Sequence, residues 1–332
     1  MRVKRCGLVT TFVILVLFLL IPVAIAEEKA APAMEPWWPS RYGPDDTLGT
    51  LNEITPQKIV EAAMLVKKGK VIELGTEYSA ESPGFPPRFW QTQALAHKVI
   101  KPLGENKFVW LEEQFEGCPG VGTQIDVPSH VGIEYAPGDI RFYNGAKLED
   151  VLDTNKALVK KYGIESMPPV ITRGVLVDME SYKGRRLEAG EVITVSDIEG
   201  FLKQHKLELR PGDALLINTG WMYWYKEDPK KFISGEPGIG KEVVPWMYEK
   251  RIAFIGTDQW STEVVPMENP DEAWPVHCET IAKRGFTWGQ DLVLDGLAKD
   301  CAEDGVYEFM FVFTFPKITG TTQGIGNPVA IK

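Results

Sequence analysis

The chain has 332 residues, 44% of them hydrophobic, with 46 acidic side chains against 36 basic ones and a formal net charge of −10. That length allows one large core or two subdomains, and the acidic balance argues against a nucleic-acid-binding protein, which needs a basic face. Cys6 lies near the N-terminus and Cys118, Cys278 and Cys301 are far apart. Neither a disulfide framework nor a CxxC zinc pair is indicated, although a single disulfide stays open.

Arg2, Lys4 and Arg5 precede an apolar run, Thr11 to Ala24, that ends in Ala24-Ile25-Ala26 before Glu27. This reads as a secretory signal peptide over 1–26, which makes the mature chain secreted or periplasmic and leaves it no stable membrane association. An uncleaved N-terminal anchor is the alternative, because Gly7 to Ala26 approaches the roughly 20 residues of a spanning helix. Cleavage removes three basic residues and no acidic one, moving the net charge from −10 to −13. Residues 27–52 read as an irregular arm whose Trp37 and Trp38 pack onto the domain, with one wall of an aromatic pocket as the alternative.

Thr55-Pro56 is a helix start, with Thr as the cap and Pro at the first helical position; Gly69 ends that helix. Val71 to Tyr78 reads as a strand, Ser82 to Pro87 as a loop near a site, and Phe108 to Glu112 as a strand. Gly122 to His130 (Gly-Thr-Gln-Ile-Asp-Val-Pro-Ser-His) then brings an amide, a carboxylate and an imidazole together in a chain with four histidines. If Gln124 to Asp126 is extended, Gln124 and Asp126 point to one face, and His130 closes from the side after Pro128. Oxygen and nitrogen donors around a hole suit a divalent metal; a strand end, a turn and a structural histidine is the plainer alternative.

Asp139 to Gly145 reads as a strand ending in an Asn-Gly turn, and Leu148 to Tyr162 as a helix. Gly174 to Asp178, Ala214 to Thr219, Ile252 to Asp258 and Tyr307 to Phe315 are apolar strands; Ser196-Asp-Ile-Glu199 is a capping box before a helix through His205, and Lys241 to Lys250 is another helix. Pro275-Val-His277 places His277 in a first helical turn. Apolar strands separated by helices give an α/β fold with a buried sheet, whose ligands gather at strand carboxyl ends. Asp258 and Glu263 lie at or just past one such end. His97 and His205 read as surface residues.

These blocks resemble the putative cyclase family, which includes bacterial kynurenine formamidase and isatin hydrolase. The family signature is His-x-Gly-Thr-His-x-Asp-x-Pro-x-His, and this chain has Gly120-Val-Gly-Thr-Gln-Ile-Asp-Val-Pro-Ser-His130. The likeness continues through Arg173 to Asp178, Pro211 to Trp221, Gly256 to Glu263, His277, Tyr307 to Phe309 and Gly320 to Ile331. The resemblance implies a swivelling β/α cyclase-type fold, a central mixed sheet flanked by helices, over a single domain at 53–332. It also implies a homo-oligomer, a homodimer or homotetramer. By position, Asp126 and His277 match metal ligands and His130 the proton shuttle. Gln124 and Gln290 stand where a histidine and an acidic ligand are expected, with Asp291 one residue away, and Gly120 offers no side chain.

The function so implied is a secreted, metal-dependent hydrolase of a small cyclic or N-acyl amide, such as an aryl formamide. One Mn²⁺ or Zn²⁺ would be held by Gln124, Asp126, His277 and Gln290, with His130 and Glu263 catalytic. Trp221, Trp224 and Trp260 are candidates for gripping a flat substrate. The alternatives are a metal-free acid–base cyclase or lactonase and a non-catalytic binding protein of the same fold.

Overall fold

The computed structural model describes residues 34–95 and 102–332, so the leader over 1–26 and His97 lie outside the described residues. Glu35–Lys332 is the unit that carries the fold. Its sheet has nine strands: β1 (Val71–Glu73), β2 (Gln124–Asp126), β3 (Val170–Asp178), β4 (Ala214–Asn218), β5 (Phe254–Thr257), β6 (Thr287–Gln290), β7 (Glu308–Phe313), β8 (Gln323–Ile325) and β9 (Val329–Ile331). Their spatial order is β1-β9-β7-β3-β4-β5-β6-β2-β8. The four central strands, β3 to β6, run parallel; every other pairing is antiparallel. Unbroken apolar runs make the centre, because parallel strands are covered on both faces: β4 and β5 are buried at every residue.

Helix α1 (Pro56–Ala63) and helix α2 (Val195–His205) both pack against β3. Thr55 caps α1 by accepting from the Lys58 amide at 3.2 Å. The α2 cap is Thr194 with Asp197, two residues ahead of the box read at Ser196. His205 packs on Phe201 and Tyr307 at the end of α2, with ring centroids 4.4 Å away in each case.

Several sequence expectations change. Helix α1 stops at Ala63, short of Gly69, and the strand read over 71–78 is Val71–Glu73. Only Leu148–Val151 of the expected helix over 148–162 is helical, and Leu152–Asp153 pairs with Leu158–Val159. The Asp153 carboxylate accepts from the amides of Asn155 and Lys156 at 3.1 and 3.3 Å. Such a side-chain turn competes with helix. The strand expected at 108–112 begins where that stretch ends, as Glu113–Gly117 paired with Trp90–Ala94. In the arm, Trp37 and Trp38 stack edge-on against Tyr135. Cys118, Cys278 and Cys301 are free.

A buried ion cluster ties β3, β7, α1 and the turn before β4. The Arg173 guanidinium is 2.7 Å from Asp213, whose other oxygen is 2.5 Å from Lys58 Nζ; it also donates to Glu308 at 2.7 Å and to the Glu208 carbonyl at 2.9 Å. Asp213→Ala would leave buried Lys58 and Arg173 with only the partly exposed carboxylates of Glu61 and Glu308, so it should cost about 3 kcal/mol, read as a lower urea midpoint with an unchanged slope.

Candidate functional site

All three residues of β2 are buried, yet two of them are polar. The strand runs antiparallel between β6 and β8, so Asp126 faces Trp288 and Gln323, and Gln124 faces Gln290 and Ile325. Side chains alternate along a strand, so these polar groups share one face while Ile125 turns to the core. Trp288 Nε1 donates to Asp126 Oδ2 at 2.8 Å, and Gln323 Nε2 donates to Asp126 Oδ1 at 2.7 Å and Gln124 Oε1 at 3.1 Å. Gln124 Nε2 donates to Gln290 Oε1. Asp291, the alternative to Gln290, leaves the strand with φ 56°; its carbonyl accepts from Thr123 Oγ1 at 2.6 Å.

The short helix Pro275–His277 turns His277 toward this face. Glu263, 1% exposed, accepts from the amides of Val276 and His277, both at 3.1 Å, and from His277 Nδ1. A carboxylate on Nδ1 fixes the ring and leaves Nε2 as the free nitrogen. Glu263, expected from the sequence to be catalytic, therefore stands behind His277, bonded to its ring and to the two amides. The turn Val127–His130, closed at 2.8 Å, brings His130 Nε2 to 3.9 Å from Asp126 Oδ2 and its Nδ1 to 3.3 Å from Thr322 Oγ1. The His130 and His277 ring centroids are 6.5 Å apart.

Asp126, His130, His277 and Gln290 open onto a cavity of about 400 Å³ with aromatic walls at Phe85, Trp260 and Trp274. Phe85 stacks on Trp260 with centroids 5.2 Å apart and planes at 15°, and the Trp260 indole is anchored to the Phe232 carbonyl at 2.9 Å. Trp221 and Trp224 are not part of this wall. Trp221 is fully buried with its indole on the same Phe232 carbonyl, and Trp224 lies under Lys231, 3.5 Å from ring centroid to Nζ. Trp221 lies in the turn before the helix at 223–227 and Trp224 within that helix; both pack in the apolar cluster that includes Trp260. Sequence reasoning missed Arg88, Phe85, Trp274, Trp288 and Gln323. Trp288 carried a usable signal, its two-residue spacing from Gln290.

The divalent ion expected from the sequence fits this donor set poorly. Asp126 and His277 Nε2 are its two strong donors; Gln124 and Gln290 stand where a histidine and a carboxylate are expected and offer neutral amides that bond to each other and to Gln323. His277 Nδ1 is held by Glu263. A Cβ built on Gly120 would run into the Arg88 guanidinium and sit 2.8 Å from Gln124 Oε1, so a positive charge stands where a ligand side chain would project. Among the described residues, no group of three His, Cys, Asp or Glu side chains is placed to hold a metal.

Burial holds the His130 imidazole below its ordinary value; Asp126 pulls it back up, while His277 and Arg88 push it further down. Beside the site, burial pushes the Asp258 carboxyl up to about 7, and those of Asp291 and Glu236 well above their usual range.

A family model described as putative cyclase matches residues 50–264. A crystal structure described as a novel cyclase superposes with a TM-score of 0.79 at 34% identity, covering 88% of this chain and 98% of that one. Isatin hydrolase A from Ralstonia solanacearum matches with a TM-score of 0.55 at 16% identity over 83% of this chain and 97% of its own. An isatin hydrolase bound to the product analogue thioisatinate matches at 0.55 and 16% over 84% and 100%. No curated protein matches the chain significantly.

His130 should titrate below 6.5 in ring-resonance NMR, so it is mostly neutral at pH 7. Asp126→Asn removes the group that raises it, so the midpoint should move further down; an upward move would contradict the assignment. Because the folded-state value is depressed, this ring's contribution to stability is full above 6.5 and is lost as pH falls from there through the folded midpoint.

Proposed function

The chain belongs to the putative cyclase family, and from that premise we propose that it is a hydrolase of a small cyclic or N-acyl amide that works by acid–base chemistry of its own side chains. Family membership and the fold shared with the isatin hydrolases support an enzyme of hydrolase or cyclase type acting on carbon–nitrogen bonds other than peptide bonds. The observation that carries the reading is the pair of imidazoles across one cavity. One is fixed through Nδ1 by a buried carboxylate, and the other lies beside Asp126.

In this reading a flat substrate lies against Phe85, Trp260 and Trp274 with its carbonyl over the polar face of β2. His277 Nε2 takes a proton from a water molecule, whose oxygen adds to the carbonyl carbon. Glu263 stabilises the imidazolium that results. The proton that His277 takes up passes across the cavity to His130, which burial keeps neutral at rest and whose charged form Asp126 stabilises in passing. His130 then gives that proton to the nitrogen as the carbon–nitrogen bond breaks, and both rings end neutral, as they began. The donor set is what favours this over the metal-dependent form of the reaction. Export of the mature chain, assembly as a homodimer or homotetramer, and a small molecule as the only partner belong to the same proposal.

Against formyl anilides and cyclic amides, His277→Ala and His130→Ala should each lower kcat about 10²–10⁴-fold with little change in melting temperature. Turnover should persist in excess EDTA. Full activity in His130→Ala would refute its role, and loss of wild-type activity on chelation, restored by Mn²⁺ or Zn²⁺, would return the metal-dependent form.

A further inference from the structure

We propose that Arg88 supplies the positive charge of this site, binding the substrate's carbonyl oxygen and holding the oxyanion that forms on it. The inference rests on the hydrolytic reading above and deepens it. The guanidinium lines the cavity with Asp126, His130 and His277. Its Nη1 donates to the Gly120 carbonyl at 3.2 Å, and the group fills the space that a side chain at 120 would take, beside Gln124 Oε1. Among the described residues, no carboxylate forms an ion pair with it, which leaves its remaining N–H donors for a ligand.

The loop that delivers Arg88 is fastened at several points. Phe85 is stacked on Trp260, the Arg88 amide donates to the Phe85 carbonyl at 3.1 Å, and a Cβ on Gly84 would lie 2.8 Å from Val121 Cγ1, so the loop lies close on the segment before β2. A planar fork of donors fixed in this way suits an oxygen that gains charge during reaction, since the site need not reorganise to meet it. As water adds, the carbonyl π pair moves onto that oxygen; when the tetrahedral carbon collapses, the pair returns and the bond to nitrogen breaks. The same fork beside a wall of three aromatic rings selects a flat ring carrying a carbonyl or carboxylate.

Benzoate, a flat ring with a carboxylate, is a probe that needs no turnover. Its binding is read from tryptophan fluorescence and by calorimetry. Wild type should bind it, Arg88→Ala at least tenfold more weakly, and Arg88→Lys in between. Gly120→Ala should weaken binding as Arg88→Ala does, because the added methyl displaces the guanidinium. In turnover, Arg88→Ala should lose mainly kcat, with free guanidinium restoring part of it. Wild type that does not bind benzoate, or an Arg88→Ala protein with wild-type binding and kcat, overturns the role of Arg88. Absence of amide turnover in wild type, with benzoate binding that still depends on Arg88, overturns the hydrolytic reading and leaves the anion subsite standing. Near-equal melting temperatures of Arg88→Lys and wild type exclude misfolding as the cause.

Discussion

The site depends on the pairing of a three-residue strand. Residues 124–126 lie between 287–290 and 323–325, and this register alone places Asp126 against Trp288 and Gln323 and places Gln124 against Gln290. A slip of one residue would turn Ile125 to the cavity and drive the polar pair into the core. The hydrogen bonds across the three strands satisfy the buried polar atoms of Asp126 and Gln124, so the same contacts that hold the register hold the chemistry.

A second constraint acts on His277. It lies in a short helix whose first amides and whose ring nitrogen all converge on Glu263. A buried carboxylate needs such donors to be tolerated, and here those donors also orient the imidazole. Asp126 keeps its negative charge while an indole and an amide hold it in place, and burial keeps His130 neutral. Arg88 is then the group that gives it polarity toward an electron-rich ligand.

Much of this was legible in the sequence because it is local. Apolar runs at 174–178, 214–219 and 252–258 read as buried strands, and the Gly120–His130 pattern located the polar face and the family. What escaped was what depends on distant pairing. Gln323 reaches Asp126 from nearly 200 positions away through strand register, and the likeness over Gly320 to Ile331 gave it no role. Trp221 and Trp224 were candidates for gripping a flat substrate as aromatic side chains, but residue type does not tell a ring that faces a cavity from one packed in the apolar cluster beside it. The turn at Asp153 defeated a helical pattern by a side-chain bond that periodicity does not record. The metal ligand set was transferred position by position, and such a transfer does not see that an arginine from another loop occupies the gap left by a glycine.

The exclusion between Gly120 and Arg88 makes the two positions one unit. A side chain added at 120 has to displace the guanidinium, so its effect passes through residue 88, and substitutions at the two positions should not act additively.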